Sequence, residues 1–334
     1  MCIDGKLDRL AVACESWPRE TAWLVKYIKS GAFATMMDES LRGDRHRLDK
    51  FVGGLRAVPR GTVVHWLSGN VPVLSILSAL MSIMTGNRTV LKISSDDTGL
   101  TKACLDTVND DVVYVSNAVA KVVSAAADVR VAWGGREAVD AIVNLPRKWD
   151  CQDVIFGPKL SLALVDRDHK TCDVARAIAK DVVALDQMGC NSPQTVVVEG
   201  DAVEFAGMIV TELDRMGGAP FNASRWTHIL RDRCGHYSYG NVLGPISPRY
   251  TVLYSDSPNV PTDPAMGRTV YVREVDNMTE VKIPEGTQTL GVTPNVPTFT
   301  DVDRIVPVGQ MTDFSVPWDG IYPMERMIRW ISLT

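Results

Sequence analysis

The residue best suited to chemistry in this sequence is Cys190, which lies in the stretch LDQMGCNSPQTVVVE. A thiolate forms near neutral pH from a free pKa of about 8.5, so a cysteine is a good nucleophile for acyl and aldehyde carbons. Residues 171–186 carry apolar side chains at helical spacing, and residues 195–198 are a β-branched run suited to a buried strand. We therefore predict a thiol in a short loop, with Gly189 ending the helix and Pro193 preventing its resumption. A buried, unreactive cysteine is the alternative.

The elements before this loop follow a regular alternation from residue 61. Strands are predicted at 62–67, 89–93, 112–115 and 129–133, and helices at 71–84, 98–108, 118–126 and 136–145. Four β-α units in about 85 residues predict an α/β fold, with a parallel sheet and helices on both faces. Such sheets bind ligands beyond the carboxyl ends of their strands, where small residues let backbone N–H groups approach a phosphate.

Three turns at those strand ends hold most of the candidate binding residues. They are Ser68, Gly69 and Asn70 after the first strand, Lys92, Ser94 and Ser95 after the second, and Trp133, Gly134 and Gly135 after the fourth. No GxGxxG and no GxxxxGK[ST] is present, so neither an ordinary Rossmann fingerprint nor a P-loop is available. Each turn alone is a weak signal, because most Gly-Gly pairs that open helices are only turns.

The composition of the 334 residues excludes several classes of function. A net charge of −5 argues against nucleic acid or an anionic membrane as a main partner. The seven cysteines are scattered without a CxxC, so no metal site is predicted, and Cys234 and His236 are interpreted as structural. The odd cysteine count, the absence of a visible signal peptide and the lack of an apolar stretch long enough for a bilayer predict a cytoplasmic protein with no membrane span.

The rest of the sequence predicts a second domain and a returning tail. Residues 7–50 read as amphipathic helices without candidate chemistry, and residues 152–165 give two short strands around Gly157 where the chain crosses between domains. A further helix is predicted at 202–216, and strands are predicted at 251–254, 269–272 and 289–292. We expect a helical segment with the nucleotide-binding domain at 1–157, a catalytic thiol domain at 158–304, and a C-terminal segment at 305–334 that packs on the first domain.

Six segments, taken in order and spacing, resemble the acyl-CoA reductases of the LuxC type, within the aldehyde dehydrogenase superfamily. They are HWLSGNVP (65–72), TGNRTVLKIS (85–94), AWGG (132–135), IFGPKLSLALVD (155–166), QMGCNSPQ (187–194) and RIVPVGQ…WDG (304–320). Any one is a weak match, whereas six in the correct order are strong together. The resemblance covers nearly the whole chain. It implies an aldehyde dehydrogenase-like fold, with a parallel-sheet nucleotide-binding domain and an α/β catalytic domain that carries the cysteine.

The resemblance implies roles for two residues in the reaction. Cys190 matches the position of the superfamily's nucleophile. Asn70 matches the asparagine that, with a backbone N–H at the cysteine, forms the oxyanion hole, and one such donor is typically worth about 10²–10³ in rate. A helix N-cap before Pro72 is the alternative role for Asn70, and both roles can coexist.

The resemblance also implies a nicotinamide cofactor. The superfamily's K-P-S-E motif places a lysine on the cofactor ribose and a glutamate on its 2′-hydroxyl, and here the motif reads Lys92-Ile93-Ser94-Ser95. The lysine is kept and the acid is absent. A carboxylate would repel a 2′-phosphate, so NADPH is favoured, with NADH as the alternative. Further cofactor contacts are expected from the three turns and from Phe156 and Gly157.

A missing acid is the clearest departure from the superfamily. Aldehyde dehydrogenases carry an E-L-G-G-K segment whose glutamate activates water, and the matching segment here is IFGPK, with Ile155 at the acid's place. A thioester on Cys190 should then hydrolyse slowly and remain available for reduction by hydride. Asp153 and Asp186 are the substitutes nearest in sequence, although neither fits the family's position.

These expectations combine into an NADPH-dependent reductase that turns an acyl thioester into an aldehyde through a Cys190 acyl-enzyme. Acyl-CoA or an acyl carrier protein is the expected donor, an acyl-transferring or synthetase protein is a possible partner, and self-association into a homo-oligomer is expected. An aldehyde dehydrogenase that makes an acid is one alternative, and a non-catalytic subunit of a complex is another. A serine thioesterase is disfavoured because no GxSxG occurs. The acyl chain and the group that activates Cys190 stay open.

Overall fold

The computed structural model describes residues 1–108, 111–218, 222–238 and 240–333. Its helices are α1 Ile3–Ala13, α2 Ala22–Lys29, α3 Ala32–Ser40, α4 Pro72–Met84, α5 Leu100–Leu105, α6 Asn117–Ala126, α7 Arg136–Val143, α8 Cys172–Val183, α9 Val203–Met216, α10 Ala223–His236 and α11 Pro323–Arg326. Its strands are β1 Leu55–Pro59, β2 Thr62–Trp66, β3 Arg88–Lys92, β4 Val113–Tyr114, β5 Val129–Trp133, β6 Gln152–Phe156, β7 Leu160–Val165, β8 Thr195–Glu199, β9 Asn241–Leu243, β10 Thr251–Ser255, β11 Thr269–Val275, β12 Thr287–Val292, β13 Arg304–Pro307 and β14 Ile328–Ser332.

The chain forms two units, one from Met1–Pro158 with Ser315–Thr334 and one from Lys159–Phe314. The predicted boundaries follow residues 157 and 304. The second unit extends beyond residue 304 because β13 pairs with β12 in its sheet.

The first unit contains a five-stranded sheet with the order β4-β3-β2-β5-β6, in which every neighbouring pair is parallel. Helix α4 packs on β2 and β3, as does α6, while α7 packs on β5 and β6. The side chains of β2 alternate between the two faces. His65 bonds serines of α4, and Trp66 Nε1 donates to Ser124 Oγ of α6 at 3.0 Å. The predicted alternation of strands and helices is therefore confirmed.

A two-stranded antiparallel sheet, absent from the sequence predictions, joins β1 to β14 in the first unit, with Leu55 opposite Ser332. The carbonyl oxygen of Met327 strengthens this connection, because it accepts hydrogen bonds from Asn87 Nδ2 at 3.0 Å and from the backbone N–H of Arg60 at 3.1 Å. Both ends of the first unit's chain are thus tied to the same part of the fold.

The second unit contains a seven-stranded sheet with the order β13-β12-β7-β8-β11-β10-β9. All neighbouring pairs are parallel except β9 with β10. Helices α8 and α9 cover one face with an apolar core that includes Ile178, Val196, Phe205 and Leu213. Helix α10 packs on β9 and β10 and was not predicted.

Helix α8 ends at Val183, earlier than the predicted end at residue 186, so the prediction that Gly189 ends the helix is wrong. Leu185, Asp186 and Gln187 have φ angles of 52°, 51° and 59°, in the left-handed region. Such angles are uncommon for residues other than glycine, so tertiary contacts must hold them. One contact is the ion pair of Asp186 with Arg268.

The described residues lack two features. No helix among them is long and apolar enough to cross a membrane. No group of three or more His, Cys, Asp or Glu side chains in the same residues is placed to hold a metal ion. His236 is instead engaged in hydrogen bonds, with its Nδ1 against the carbonyl oxygen of Asp232 at 3.1 Å and its Nε2 against Arg273 at 3.1 Å.

Candidate active site

Cys190 lies partly buried in the loop that precedes β8, at the amino end of the second unit's parallel sheet. The hydroxyl of Ser161, at the start of β7, donates to the main-chain oxygen of Cys190 at 2.7 Å. The side-chain oxygen of Gln194 accepts from the N–H of Ser161 at 2.7 Å, and the N–H of Gln194 donates back to the Ser161 oxygen at 3.0 Å. The thiol loop is therefore fixed to the neighbouring strand at the cysteine and again at Gln194.

A buried glutamine closes the same loop from within. Gln187 Nε2 donates to the oxygens of Pro193 at 2.8 Å and Thr269 at 2.7 Å, and its Oε1 accepts from the N–H of Thr269 at 2.8 Å. All three hydrogen bonds join the Gln187 side chain to backbone groups, so they fix the backbone of the loop. The thiol is thus held on a rigid support, as a reactive group requires.

The residue after the cysteine connects the loop to a second segment. Asn191 Nδ2 donates to the oxygen of Met311 at 3.0 Å. That segment is anchored on α8 by Asp181, whose carboxylate accepts from the N–H groups of Gly309 at 2.6 Å and Met311 at 3.3 Å. Burial raises the pKa of Asp181, and these N–H donors oppose the shift. Gly189 is required for close approach, since a Cβ there would lie 2.6 Å from Asn191 Oδ1.

Several buried polar atoms near the thiol have no hydrogen-bond partner among the described residues. They are Asn191 Oδ1, Ser192 Oγ, Thr289 Oγ1 and Arg304 Nε. Most buried polar groups in proteins are paired, so unpaired ones call for an explanation, such as water or a bound ligand. Their concentration around one half-buried cysteine marks this strand end as the candidate active site.

The acids nearest the missing glutamate are already engaged. Ile155, at the superfamily's acid position, packs against the apolar core of the first unit. Asp153 accepts from Arg130 at 2.7 and 2.8 Å and from Arg147 at 2.8 Å. Asp186 is paired with Arg268. Both carboxylates are therefore committed to ion pairs with arginines.

The structure brings the predicted cofactor residues of the first unit to one edge of its sheet, at the carboxyl ends of four adjacent strands. Ser68, Gly69 and Asn70 follow β2, Lys92, Ser94 and Ser95 end or follow β3, Trp133, Gly134 and Gly135 end or follow β5, and Phe156 and Gly157 end or follow β6. Asn70 is exposed there. Val71, not Asn70, is the N-cap of α4, and the helix has no side-chain cap, so the N-cap alternative for Asn70 is wrong.

A cavity of about 260 Å³ lies at this edge, between α6 and α7. Lys92 and Trp133 line it, together with two residues that the sequence analysis missed, Asn117 and Lys121. Trp66, Ile142 and other apolar side chains complete the wall. An apolar slot beside two ammonium groups fits a planar base with an attached phosphate. Both missed residues lie in the first two turns of α6. The sequence did offer a signal for them, because this helix follows the third predicted strand.

Gly69 shows how closely the turns after β2 and β3 approach each other. A Cβ on Gly69 would lie 2.7 Å from Ser94 Oγ and 2.8 Å from the Cβ of Asp96. Only glycine fits this crossing. Asp96 also directly follows Ser95, which stands at the position of the superfamily's glutamate. The sequence analysis did not consider this acid.

Trp133 is fixed at the strand edge by aromatic and polar contacts. Its ring stacks on Phe156 with centroids 3.9 Å apart, and the ring of Trp318 is 6.4 Å away. Its Nε1 donates to Ser78 Oγ at 3.1 Å, and Ser78 Oγ is 3.0 Å from Nδ1 of the buried His65. His65 and Trp318, which lie in two of the matching segments and received no role from the sequence, therefore support Trp133.

Solved structures that share this architecture include aldehyde dehydrogenases. Aldehyde dehydrogenase 21 from Physcomitrella patens, in complex with succinate, matches with a TM-score of 0.72 at 13% identity, over 99% of this chain and 85% of that one. The 1-pyrroline-5-carboxylate dehydrogenase from Thermus with bound NAD matches with a TM-score of 0.72 at 13% identity, over 100% and 81% of the two chains. The fold is thus aldehyde dehydrogenase-like, which confirms the predicted fold class.

The sequence model of the acyl-CoA reductase (LuxC) family matches residues 19–330, so the chain belongs to that family. The long-chain acyl-protein thioester reductase of Photorhabdus luminescens is 28% identical over 356 residues, and that of Vibrio harveyi is 27% identical over 354 residues. Each match covers 94% of this chain and 73% of the relative. The predictions of the family and of the enzyme class, an acyl-CoA reductase, are confirmed.

Proposed function

We propose that this chain reduces an acyl thioester to an aldehyde, with Cys190 as the nucleophile and NADPH as the reductant. The observation that carries the proposal is the thiol loop itself. It holds a half-buried cysteine rigidly among unpaired polar atoms, while the acids nearest in sequence are committed to arginines. This arrangement favours forming a thioester over hydrolysing it.

In the proposed reaction, the thiolate of Cys190 attacks the acyl carbon and forms a new C–S bond, and the donor thiol leaves with one proton. Asn70 donates to the oxyanion that develops in this step. After the acyl group is reduced, the C–S bond to Cys190 breaks, the aldehyde leaves and the thiolate is restored. Asp153 and Asp186 stay in their ion pairs, so no carboxylate of this set activates water against the thioester.

The residues at the sheet edge of the first unit fit NADPH. When bound, this cofactor would supply the hydride that reduces the acyl group. Lys92 and Lys121 in the cavity wall offer two cations to a 2′-phosphate. Asp96 is the feature that favours NADH, because a carboxylate accepts a 2′-hydroxyl and repels a phosphate. We assign NADPH because two lysines line the cavity and Asp96 does not.

The relatives' names guide the choice of donor. They are long-chain acyl-protein thioester reductases, so we propose a long acyl chain delivered by a protein, with acyl-CoA as the alternative donor. A protein donor implies a partner that carries or transfers the acyl group. We also propose that the chain self-associates, which size-exclusion chromatography with light scattering would measure.

The test is the intact mass of the protein after mixing with a panel of acyl-CoAs and acyl carrier proteins, before NADPH is added. Wild type should gain one acyl group, and Cys190→Ala should gain none. Cys172→Ala is the matched control, since Cys172 is an exposed cysteine in the same unit, and it should behave as wild type. Adding NADPH should then discharge the adduct as an aldehyde.

Three other results would contradict the proposal, each for a different reason. Release of a carboxylic acid would identify an aldehyde dehydrogenase, and NADPH binding with no adduct from any donor would identify a non-catalytic relative. An adduct that survives in Cys190→Ala would move the nucleophile to another cysteine.

A further inference from the structure

Three residues form one row across adjacent strands at the amino end of the second unit's sheet. Ser161 of β7 is in register with Thr289 of β12, which is in register with Arg304 of β13. Residues in register on neighbouring strands direct their side chains to the same face of the sheet. Because the Ser161 hydroxyl bonds the oxygen of Cys190, Arg304 leaves the sheet on the face that carries the thiol loop.

Arg304 and the thiol loop also share a hydrogen-bond acceptor. The oxygen of Met311 accepts from Arg304 Nη1 at 3.0 Å and from Asn191 Nδ2 at 3.0 Å. Arg304 Nη2 donates to the oxygen of Gln310 at 2.9 Å. The guanidinium is therefore fixed, through one carbonyl, beside the residue that follows Cys190.

The Nε–H of this guanidinium is not used by the fold. Arg304 Nε is buried and has no hydrogen-bond partner among the described residues. Its nearest fixed partners are carbonyl oxygens, which are dipoles and do not neutralise its charge. A cation that is desolvated and lacks a bonded carboxylate exerts a strong field on its surroundings.

We propose that the guanidinium of Arg304 stabilises the thiolate of Cys190 and so activates the nucleophile. This inference rests on the proposed role of Cys190. The sequence alone did not identify the group that activates Cys190, because neither a lysine nor a histidine lies beside the cysteine. Arg304 supplies that group. A positive charge within about 4–6 Å of an acid typically lowers the pKa of that acid by about 1–3.

Electrostatics around Arg304 agree with this geometry. Burial lowers the pKa of Arg304, and the negative charges near it, Asp313, Asp181 and the Cys190 thiolate, act in the opposite direction. An arginine stays protonated at any pH of interest despite this shift. The attraction is mutual, because the Cys190 thiolate stabilises the charged guanidinium and the guanidinium stabilises the thiolate.

Other charged groups face this region and must be considered in any pH profile. Asp181 on α8 and Asp313 after β13 are the acids that act on Arg304. Lys180 donates to the oxygen of Gly309 at 3.3 Å, and Lys159 pairs with Asp303 at 3.0 Å. These groups are the same in wild type and in the Arg304 variants, so a difference in the alkylation midpoint between them reports the effect of Arg304 on the thiol.

The test is the rate of Cys190 alkylation by iodoacetamide as a function of pH, read by peptide mass spectrometry so that the other cysteines do not interfere. In Arg304→Met the midpoint should move to higher pH by about one unit or more, which lowers the rate at neutral pH about tenfold. Arg304→Lys keeps the charge and should restore most of the rate. Arg304→Gln keeps one amide donor without the charge, so it should behave as Arg304→Met even if the methionine variant folds poorly.

Arg233→Met is the matched control. Arg233 is another buried arginine of the same unit that bonds carbonyl oxygens, those of Pro245, Ile246 and Tyr250. Its substitution should leave the alkylation midpoint unchanged. Superposed profiles for wild type, Arg304→Met and Arg304→Gln, all with cooperative unfolding, would overturn the inference.

Alkylation needs no acyl donor or NADPH, so the two proposals fail separately. A shifted midpoint in the neutral variants, together with no acyl adduct on wild type, would keep the role of Arg304 and refute the reductase. An acyl adduct on wild type with unshifted midpoints would do the reverse.

Discussion

The hydroxyl of Ser161 donates a 2.7 Å hydrogen bond to the main-chain oxygen of Cys190. The same oxygen atom of Ser161 accepts the N–H of Thr289 at 3.2 Å, so one buried hydroxyl links the thiol loop to two strands. Cys190 is therefore positioned by the sheet and not only by its own loop.

Ser161→Ala should loosen the thiol loop, because it leaves the oxygen of Cys190 and the N–H of Thr289 without their partner. Unpaired buried groups cost about 1–3 kcal/mol, and we expect a loss of that size in the free energy of unfolding from urea titrations. The rate of Cys190 acylation should fall as well. Ser255→Ala is the control, since the Ser255 hydroxyl is also buried but accepts only from the N–H of Ser257. Equal acylation rates in both variants would show that Ser161 has no effect beyond stability.

Asn70→Ala should slow turnover about 10²–10³-fold with little change in the free energy of unfolding, because an exposed oxyanion donor acts mainly in the transition state. Single-turnover kinetics of acylation measure this effect directly. Asn144→Ala is the control on the same unit. Its side chain is exposed and donates only locally, to the oxygen of Asp140 at 2.8 Å. A loss below threefold for Asn70→Ala would exclude Asn70 as the oxyanion donor.

Lys121→Met should weaken NADPH binding about tenfold while leaving NADH binding nearly unchanged, because only NADPH carries the 2′-phosphate. Isothermal titration with both cofactors measures the ratio. Lys102→Met is the control, since Lys102 is paired with Asp106 on the surface of the same unit and does not line the cavity.

A substitution at Asp96 should change the affinity for NADPH in the opposite direction. Asp96→Asn should tighten NADPH binding, because it removes a negative charge near the turn of Gly69. If Lys121→Met lowered the affinity for both cofactors equally, the 2′-phosphate would have to bind elsewhere.

His65 should make the protein sensitive to acid. Burial lowers the pKa of His65 to about 3, below its ordinary value of 6.5. Between these values the unfolded chain takes up a proton that the folded chain does not, so stability is retained above pH 6.5 and falls as the pH decreases towards 3. His65→Gln should therefore flatten the dependence of the free energy of unfolding on pH, by about 1.4 kcal/mol per pH unit below pH 6.

Urea titrations between pH 4.5 and 8 measure that slope. His228→Gln replaces an exposed histidine of α10 and should keep the wild-type slope. An unchanged slope in His65→Gln would mean that His65 is protonated in the folded protein.

The first unit was largely predictable because its strands are short apolar runs separated by glycine-containing turns. The candidate residues at its strand ends could be named for the same reason, since parallel topology brings consecutive turns to one edge. Lys121 was missed because an exposed lysine on a helix looks like any solvated residue. Its significance depends on α6 starting at the edge that also carries Lys92.

Elements that depend on distant partners could not be predicted. The pairing of β1 with β14 joins segments from opposite ends of the chain, and neither segment has a strong pattern of its own. Helix α10 carries many charged side chains and few apolar ones, with Ile229 its one fully buried hydrophobic residue, so its sequence lacks an apolar face. The end of α8 depends on left-handed residues that only their tertiary contacts explain.

The thiol environment illustrates the same limit at a site. Cys190 was found from its own neighbours in sequence, but Ser161, Thr289 and Arg304 are brought into one row only by strand register. Register is set by the whole sheet, and no local pattern around Arg304 reports it.

The division of the chain has a consequence for its synthesis. The second unit is one continuous segment, whereas the first unit needs residues from both sides of it, including Trp318 and the strand β14. Ribosomes add about 5–20 residues per second, and domains generally fold as their segments emerge. The thiol-bearing unit can therefore fold on the ribosome while β1 still has an unpaired edge. The first unit, although its synthesis begins first, is the last to close.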